Sequence, residues 1–310
     1  MSRPWTAERE IEAELAQALI ETQFPELAPA RMRLLGVGWD NAAFVVNEAF
    51  VFRFPRRQIA VELLERENRL LPWIAPRVPL PIPGPRFLGQ PDERFPWPFS
   101  GYPLLAGRTA CAAALDEPQR ARAAEPLARF LAALHAIPVD EATQYGAGPD
   151  TFARLDLNIR RPRVRDRLGD IRGFGLLTET APWEKLMEFT PTPSDDAPRR
   201  LVHGDFYVRH LLVDAEGLPS GVIDWGDVHL GHPALDLSIA HAFLPPSAHD
   251  TFRQAYGPID DTTWQLARFR ALDVASIMVV FGHETGESDL VREGLRTLDV
   301  LAGSKTGQLN

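Results

Sequence analysis

The sequence predicts an α+β protein built as two lobes, and three observations carry that expectation. In the first third, short apolar runs alternate with Gly and Pro, as strands joined by turns do. In the last third, apolar residues recur at helical spacing over 261–281 and 290–301. Between them, 201–236 reads as a hairpin of two apolar strands, 211–213 and 221–223, with His and Asp crowding both of its ends. A chain of 310 residues is long enough to bury a large core and to form two lobes.

Taken in order, Thr6 is placed to cap a helix whose apolar positions are Ile11, Leu15, Ala18 and Leu19, ended by Phe24-Pro25. Gly36 and Gly38 then form a turn between two apolar runs, where the absence of Cβ atoms would let backbone amides approach phosphates. Their spacing matches neither a P-loop nor a dinucleotide fingerprint. Residues 51–54 form a strand closed by Pro55, and 60–71 a helix with Leu63, Leu64, Leu70 and Leu71 along one side, stopped by Pro72. Glu67 falls on that apolar face, where a carboxylate needs a partner. The proline-rich 76–85 is an extended connector. Leu127, Phe130, Leu131 and Leu134 mark a helix over 125–137, with His135 as a structural residue at its end. Residues 140–200 read as less regular and rich in Arg and Pro, 282–287 as a mobile break between the two last helices, and 302–310 as a frayed tail.

Composition excludes several classes. With 33 basic and 42 acidic side chains the formal charge is −9, which argues against nucleic acid or an anionic membrane as a main partner and suits a cationic small molecule. A single cysteine, Cys111, forbids an internal disulfide and fits a reducing compartment. The start carries acidic residues where a signal peptide needs an apolar core, and no long apolar run follows, so a cytoplasmic protein is expected. Lys185 and Lys305 are the only lysines.

The chemistry concentrates in the central block. His203, Asp205 and His210 precede the hairpin, and Asp224, Asp227, His229 and His232 follow it, a density suited to a metal and a proton transfer. His203-Gly204-Asp205, Ile223-Asp224-Trp225 and Pro233-Ala234-Leu235-Asp236 together resemble the catalytic and metal-binding loops of the aminoglycoside phosphotransferase family. That family includes macrolide kinases, and its fold is similar to that of protein kinases. Two positions depart from its pattern: His210 stands where the family has Asn, and His232 where an Asp commonly precedes the Pro.

The resemblance implies a two-lobe protein-kinase-like fold. A small antiparallel-sheet N-lobe would span 1–105, with a hinge near 101–107, and a larger, mainly helical C-lobe 106–310. It implies transfer of the γ-phosphoryl group of ATP or GTP to a hydroxyl of a small molecule, with aminoglycosides and macrolides among the acceptors and antibiotic resistance among the roles. Asp205 would accept the hydroxyl's proton. Asp224 would bind Mg²⁺, with His210 at the second metal position, where its nitrogen would also suit Mn²⁺. Arg53 would hold phosphates, paired with Glu67, because no lysine precedes Lys185. Gly36 and Gly38 would approach the phosphates, and Tyr102, Leu104 and Leu105 would read the base through their backbone. His203, Asp227 and Asp236 would support the loops.

Two rival readings use the same residues. One is a metal-dependent hydrolase with His203, Asp205, His210 and Asp224 as ligands. The other is a nucleotide-binding pseudokinase without turnover. Asp195, Asp196, Asp260, Asp261, Glu284 and Glu287 are acids that would suit a cationic acceptor, or equally a solvated surface.

Overall fold

The computed structural model describes residues 7–38, 40–194 and 196–303. The chain divides into two compact units. The first takes in the chain up to Arg77, Pro81–Leu105 and the short segment Asp224–Asp227; the second takes in Val78–Leu80, Ala106–Ile223 and Val228 onward.

The first unit contains α1 (Ala13–Gln23), β1 (Met32–Val37), β2 (Asn41–Val46), β3 (Phe50–Pro55), α2 (Gln58–Ile74), β4 (Phe87–Gly89) and β5 (Phe99–Pro103). Its strands form one antiparallel sheet in the order β1-β2-β3-β5-β4. Alternation along β3 sends Phe52 and Phe54 into an aromatic core with Phe87, Phe95 and Phe99, and sends Arg53 to the opposite face, where it meets α2. The rings of Phe54 and Phe99 stack with centroids 4.5 Å apart. Gly89 and Gly101 lie directly under the rings of Phe99 and Phe52, where a Cβ would sit within 2.3 and 2.5 Å of ring atoms. Any side chain there would push the core apart.

Two boundaries differ from the sequence expectation. α1 starts at Ala13 after an extended Glu12, and Thr6 lies outside the described residues. The amides of Glu8 and Arg9 are spent on the main-chain oxygen of Arg56 instead of on a helix. α2 runs through Pro72 to Ile74. A proline removes one helical hydrogen bond, and burial of Trp73 and Ile74 beyond it offsets that loss.

The second unit contains β6 (Arg108–Thr109), α3 (Ala110–Ala113), α4 (Glu117–Arg122), α5 (Ala124–His135), α6 (Val139–Gln144), α7 (Leu157–Gly173), α8 (Ala181–Phe189), β7 (Arg200–Val202), β8 (Leu211–Val213), β9 (Pro219–Val222), β10 (His229–Gly231), α9 (Ala234–Phe243), α10 (His249–Tyr256), α11 (Asp261–Thr285) and α12 (Ser288–Ala302). β8 and β9 form the expected hairpin, extended by β6, and β7 pairs antiparallel with β10.

The stretch 140–200 is more regular than expected: α7 and α8 occupy much of it. Leu157, Val164, Leu168 and Ile171 give α7 a buried stripe at helical spacing, masked in the sequence by six arginines around it. The expected break at 282 is also absent. α11 continues to Thr285 and ends at Gly286, which takes the left-handed backbone that closes helices. Gly282 lets this turn approach α12, since a Cβ there would sit 2.9 Å from the Glu287 oxygen. The tail beyond Gly303 lies outside the described residues. Among the described residues no helix is long and apolar enough to cross a membrane.

Candidate active site

The loop between β7 and β8 carries His203, Gly204, Asp205 and His210. Gly204 has φ +85°, a conformation open to glycine and strained for other residues, and this turns the chain so that two successive amides face one acceptor. The amides of His203 and Gly204 donate to the two carboxylate oxygens of Asp236, at 2.7 and 2.9 Å. Asp236 is wholly buried in the first turn of α9, and His135 of α5 donates to it from Nε2 at 3.1 Å. The other ring nitrogen of His135 meets the Tyr256 hydroxyl at 2.8 Å. Burial alone would raise the Asp236 carboxyl; hydrogen bonding and charge from His135, with the amides, outweigh it and hold the group below its ordinary range.

His203 donates from Nε2 to the Ile223 oxygen at 3.0 Å and accepts the Asp205 amide on Nδ1 at 3.3 Å. Both ring nitrogens thus fix the loop, in a neutral tautomer. Burial pushes this imidazole below its ordinary pKa of 6.5, and pushes His241 of α9 well below it. Such groups add stability that is present above 6.5 and lost as pH falls below it, by at most about 1.4 kcal/mol per pH unit for each histidine kept neutral. Glu67 works oppositely, since burial raises its carboxyl. The midpoint of thermal unfolding is expected to fall as pH drops from 7.5 to 5.5. An unchanged midpoint would show that the folded protein takes up as many protons over this range as the unfolded chain does.

The Asp205 side chain is 31% exposed and flanked by two cationic or ionisable groups. His210 donates from Nδ1 to its main-chain oxygen at 2.8 Å, and the same nitrogen stands 3.6 Å from Oδ2. Nη2 of Arg270, from α11, stands 3.6 Å from Oδ1. Arg270 escaped the sequence reading. Its signal there is a pair of opposite charges, Arg270 and Asp273, three apart within a largely apolar stretch of the helix that also carries Arg268.

In the first unit a second cluster forms around Arg53. Its Nη1 donates to both oxygens of Glu67, at 3.1 and 2.9 Å, and its Nη2 to Asp224 Oδ1 at 2.9 Å. Arg53 and Glu67 are 7% and 4% exposed. Burial disfavours the guanidinium's charge, but the Glu67 and Asp224 carboxylates outweigh it and raise its pKa. Asp227 lies near enough to push Glu67 upward. Tyr102 lies close enough for its phenol to feel the Arg53 charge, and burial raises that phenol. From the sequence, only the backbone of Tyr102 is expected to act. Asp224 has φ +62°, strained for a non-glycine residue, as functional residues often are. Gly226 lets this segment lie against α2: a Cβ there would sit 3.1 Å from Glu67 Oε1.

The other expected contributors are less concentrated. Gly36 sits at an irregularity in β1 with open space where a Cβ would go. Gly38 donates its amide to the Asn41 oxygen at 2.9 Å, closing the turn. The Leu104 amide donates to the Ala49 oxygen at 2.8 Å, so it is committed to the protein itself; Leu105 is the last residue of this part of the unit. Of the acids, Asp196 and Asp260 line a cavity of about 270 Å³ with His232, while Asp260 spends its carboxylate capping α11 through Thr263. Glu287 pairs with Arg209 at 3.1 Å, and Asp195 lies outside the described residues.

For a metal, the donor chemistry is uneven. Among the described residues no group of three His, Cys, Asp or Glu side chains gathers as a ready-made cage. Asp224 offers hard oxygen on a side chain 46% exposed, which fits an ion such as Mg²⁺ that keeps several of its waters. His210 has Nδ1 committed to the Asp205 carbonyl, so it could ligate only through Nε2.

The family model described as "Phosphotransferase enzyme family" matches residues 31–272. A relative, YcbJ of Bacillus subtilis (strain 168), is 27% identical over 202 residues; the match spans 60% of this chain and 60% of that protein's length. The chain is similar to the solved GDP and kanamycin complex of APH(2")-IIia, with TM-score 0.70 and 25% identity over 93% of this chain and 98% of that one. It is similar in fold to macrolide 2'-phosphotransferase type I, with TM-score 0.59 and 22% identity over 94% and 98% of the two chains. The expected fold class is therefore the one found: an antiparallel-sheet unit and a mainly helical unit of the kinase-like aminoglycoside phosphotransferase type.

Proposed function

The chain belongs to the phosphotransferase enzyme family, and we propose that it moves the γ-phosphoryl group of ATP or GTP onto a hydroxyl of a small molecule, with aminoglycoside and macrolide antibiotics as the first acceptors to test. The observation that carries this reading is the Asp205 carboxylate. It is partly exposed on a loop whose first turn is held by Asp236, through the amides of His203 and Gly204, and by the Ile223 oxygen, through the His203 ring. Phosphoryl transfer asks mainly for positioning and charge neutralisation, and a fixed loop bearing one accessible carboxylate supplies the first.

In this reading Asp205 orients the acceptor hydroxyl and takes its proton. Arg53, anchored by Glu67 and assisted by Tyr102, holds phosphate oxygens. Mg²⁺, held by Asp224 with His210 as a second candidate, would neutralise phosphate charge when bound. Aminoglycoside acceptors gain support from the kanamycin and GDP complex of a similar protein, which also makes GTP a donor to test beside ATP. The cytoplasmic setting and a role in resistance belong to the same proposal.

The hydrolase reading is weakened by His203, whose two ring nitrogens are both bonded to the main chain, at Ile223 and Asp205, and cannot also ligate. Nucleotide consumption, measured with ATP and with GTP against a panel of aminoglycosides, macrolides and small alcohols, tests the proposal. Acceptor-dependent turnover is expected. Tight nucleotide binding without turnover for any acceptor would leave a pseudokinase.

His210 supplies a finer test. If its Nε2 touches the metal, the metal concentration needed should rise as pH falls through about 6, because protons compete for the nitrogen. His210→Asn should remove that dependence and shift preference from Mn²⁺ toward Mg²⁺. Parallel metal titrations for the two proteins at pH 6 and 8 would show that the imidazole is not a ligand.

A further inference from the structure

Asp205 can serve as a base only if its carboxylate faces the acceptor, and the loop backbone does not by itself aim a side chain. The group placed to do so is Arg270, 5% exposed in the apolar middle of α11. A guanidinium at such a position is kept by its partners. Nη1 donates to Asp273 Oδ2 at 2.8 Å, one turn along the same helix. Asp273, wholly buried, receives Arg167 of α7 on its other oxygen, and Nε of Arg167 donates to Ser276 at 2.9 Å. Both oxygens of Asp273 are thus occupied by different arginines, which fixes each guanidinium in place.

One carboxylate between two cations leaves a positive surplus, and Asp205 is the next carboxylate in line. The four groups alternate in charge: Arg167, Asp273, Arg270, Asp205. The last gap has a specific length. At 3.6 Å, Nη2 is close enough to hold Oδ1 by charge and too far to be a hydrogen bond. The carboxylate is held in direction while its lone pairs stay available to an incoming hydroxyl.

We propose that Arg270 is a positioning residue for Asp205, clamped by Asp273 and Arg167 so that it sets the direction from which the carboxylate accepts a proton. The proposal rests on the reading of Asp205 as the base. The competing role for Arg270 is a cross-link between α7 and α11 and nothing more.

Arg270→Met, Arg270→Ala, Arg270→Lys and Asp205→Asn separate these roles. The readouts are consumption of ATP and GTP, with water or the best panel acceptor taking the phosphoryl group, nucleotide KM, and the midpoint of thermal unfolding. Arg270→Met keeps the Arg167–Asp273 pair and should lower kcat tenfold or more, on the order expected for a misplaced catalytic group, with nucleotide KM unchanged. In Arg270→Ala, which leaves room for the lost fork, added guanidinium ion at millimolar concentration should restore part of the lost kcat, and should restore none in Asp205→Asn. Arg270→Lys keeps the charge but lacks the fork that reaches Asp273 and Asp205 together, so its kcat should fall between those of the wild type and Arg270→Met.

A lowered unfolding midpoint with wild-type kcat in Arg270→Met would overturn the proposal. If that variant does not fold, wild-type kcat in Arg270→Lys would overturn it equally. Near wild-type turnover in Asp205→Asn would remove the base and this role together. An inactive Asp205→Asn beside fully active Arg270 variants would remove only the role of Arg270. A wild-type protein that consumes neither nucleotide, alone or with any acceptor, removes both.

Discussion

Arg53→Ala is expected to destabilise the first unit by about 3–5 kcal/mol, the usual result of stranding one partner of a buried ion pair. Glu67, 4% exposed on the apolar side of α2, would be left without the guanidinium that now contacts both of its oxygens. Asp224 would lose the same guanidinium from 2.9 Å, a smaller loss because that side chain is nearly half solvated. Nucleotide binding should weaken as well, since the proposed phosphate contact goes with the side chain. Adding Glu67→Gln removes the stranded charge and should recover part of the stability but none of the nucleotide affinity. Thermal unfolding and nucleotide titration of both singles and the double variant form a cycle. If the stability losses of the two singles simply add, the pair carries no coupling; unchanged nucleotide affinity in Arg53→Ala would mean that another arginine holds the phosphates.

Asp205→Asn should lower turnover by on the order of a hundredfold or more while leaving nucleotide affinity and the unfolding midpoint close to those of the wild type. The stability half of this expectation comes from geometry. Both ionic neighbours of the carboxylate stand at 3.6 Å, and the loop is fastened through its main chain and through Asp236 instead. Turnover near the wild-type level would take Asp205 out of the mechanism.

The short strings His203-Gly204-Asp205 and Ile223-Asp224-Trp225 were readable because a sharp turn and an exposed carboxylate require particular residues in immediate succession. Glu67 was equally readable, as a charge on an apolar helical face with Arg53 on a neighbouring strand as its natural partner. α7 was not, because its buried stripe is outnumbered by arginines whose guanidiniums find partners only after folding. Helix ends depart from the local rule where a tertiary gain opposes it: Pro72 stays inside α2 because Trp73 and Ile74 are buried beyond it, and α11 passes 282 because a glycine there lets α12 close in.

By itself, then, the sequence determined what depends on neighbours along the chain: the strand periods, the hairpin at 211–222, the turn at His203-Gly204-Asp205 and the family. Only the tertiary structure decided which distant groups share a charge. It joined His135 to Asp236, Tyr102 to Arg53, and Arg167 through Asp273 to Arg270 and Asp205. Hydrogen bonds and ion pairs between buried side chains are set by angles and distances of a few ångströms, and those are fixed by the packing of whole helices against one another, which no local pattern encodes.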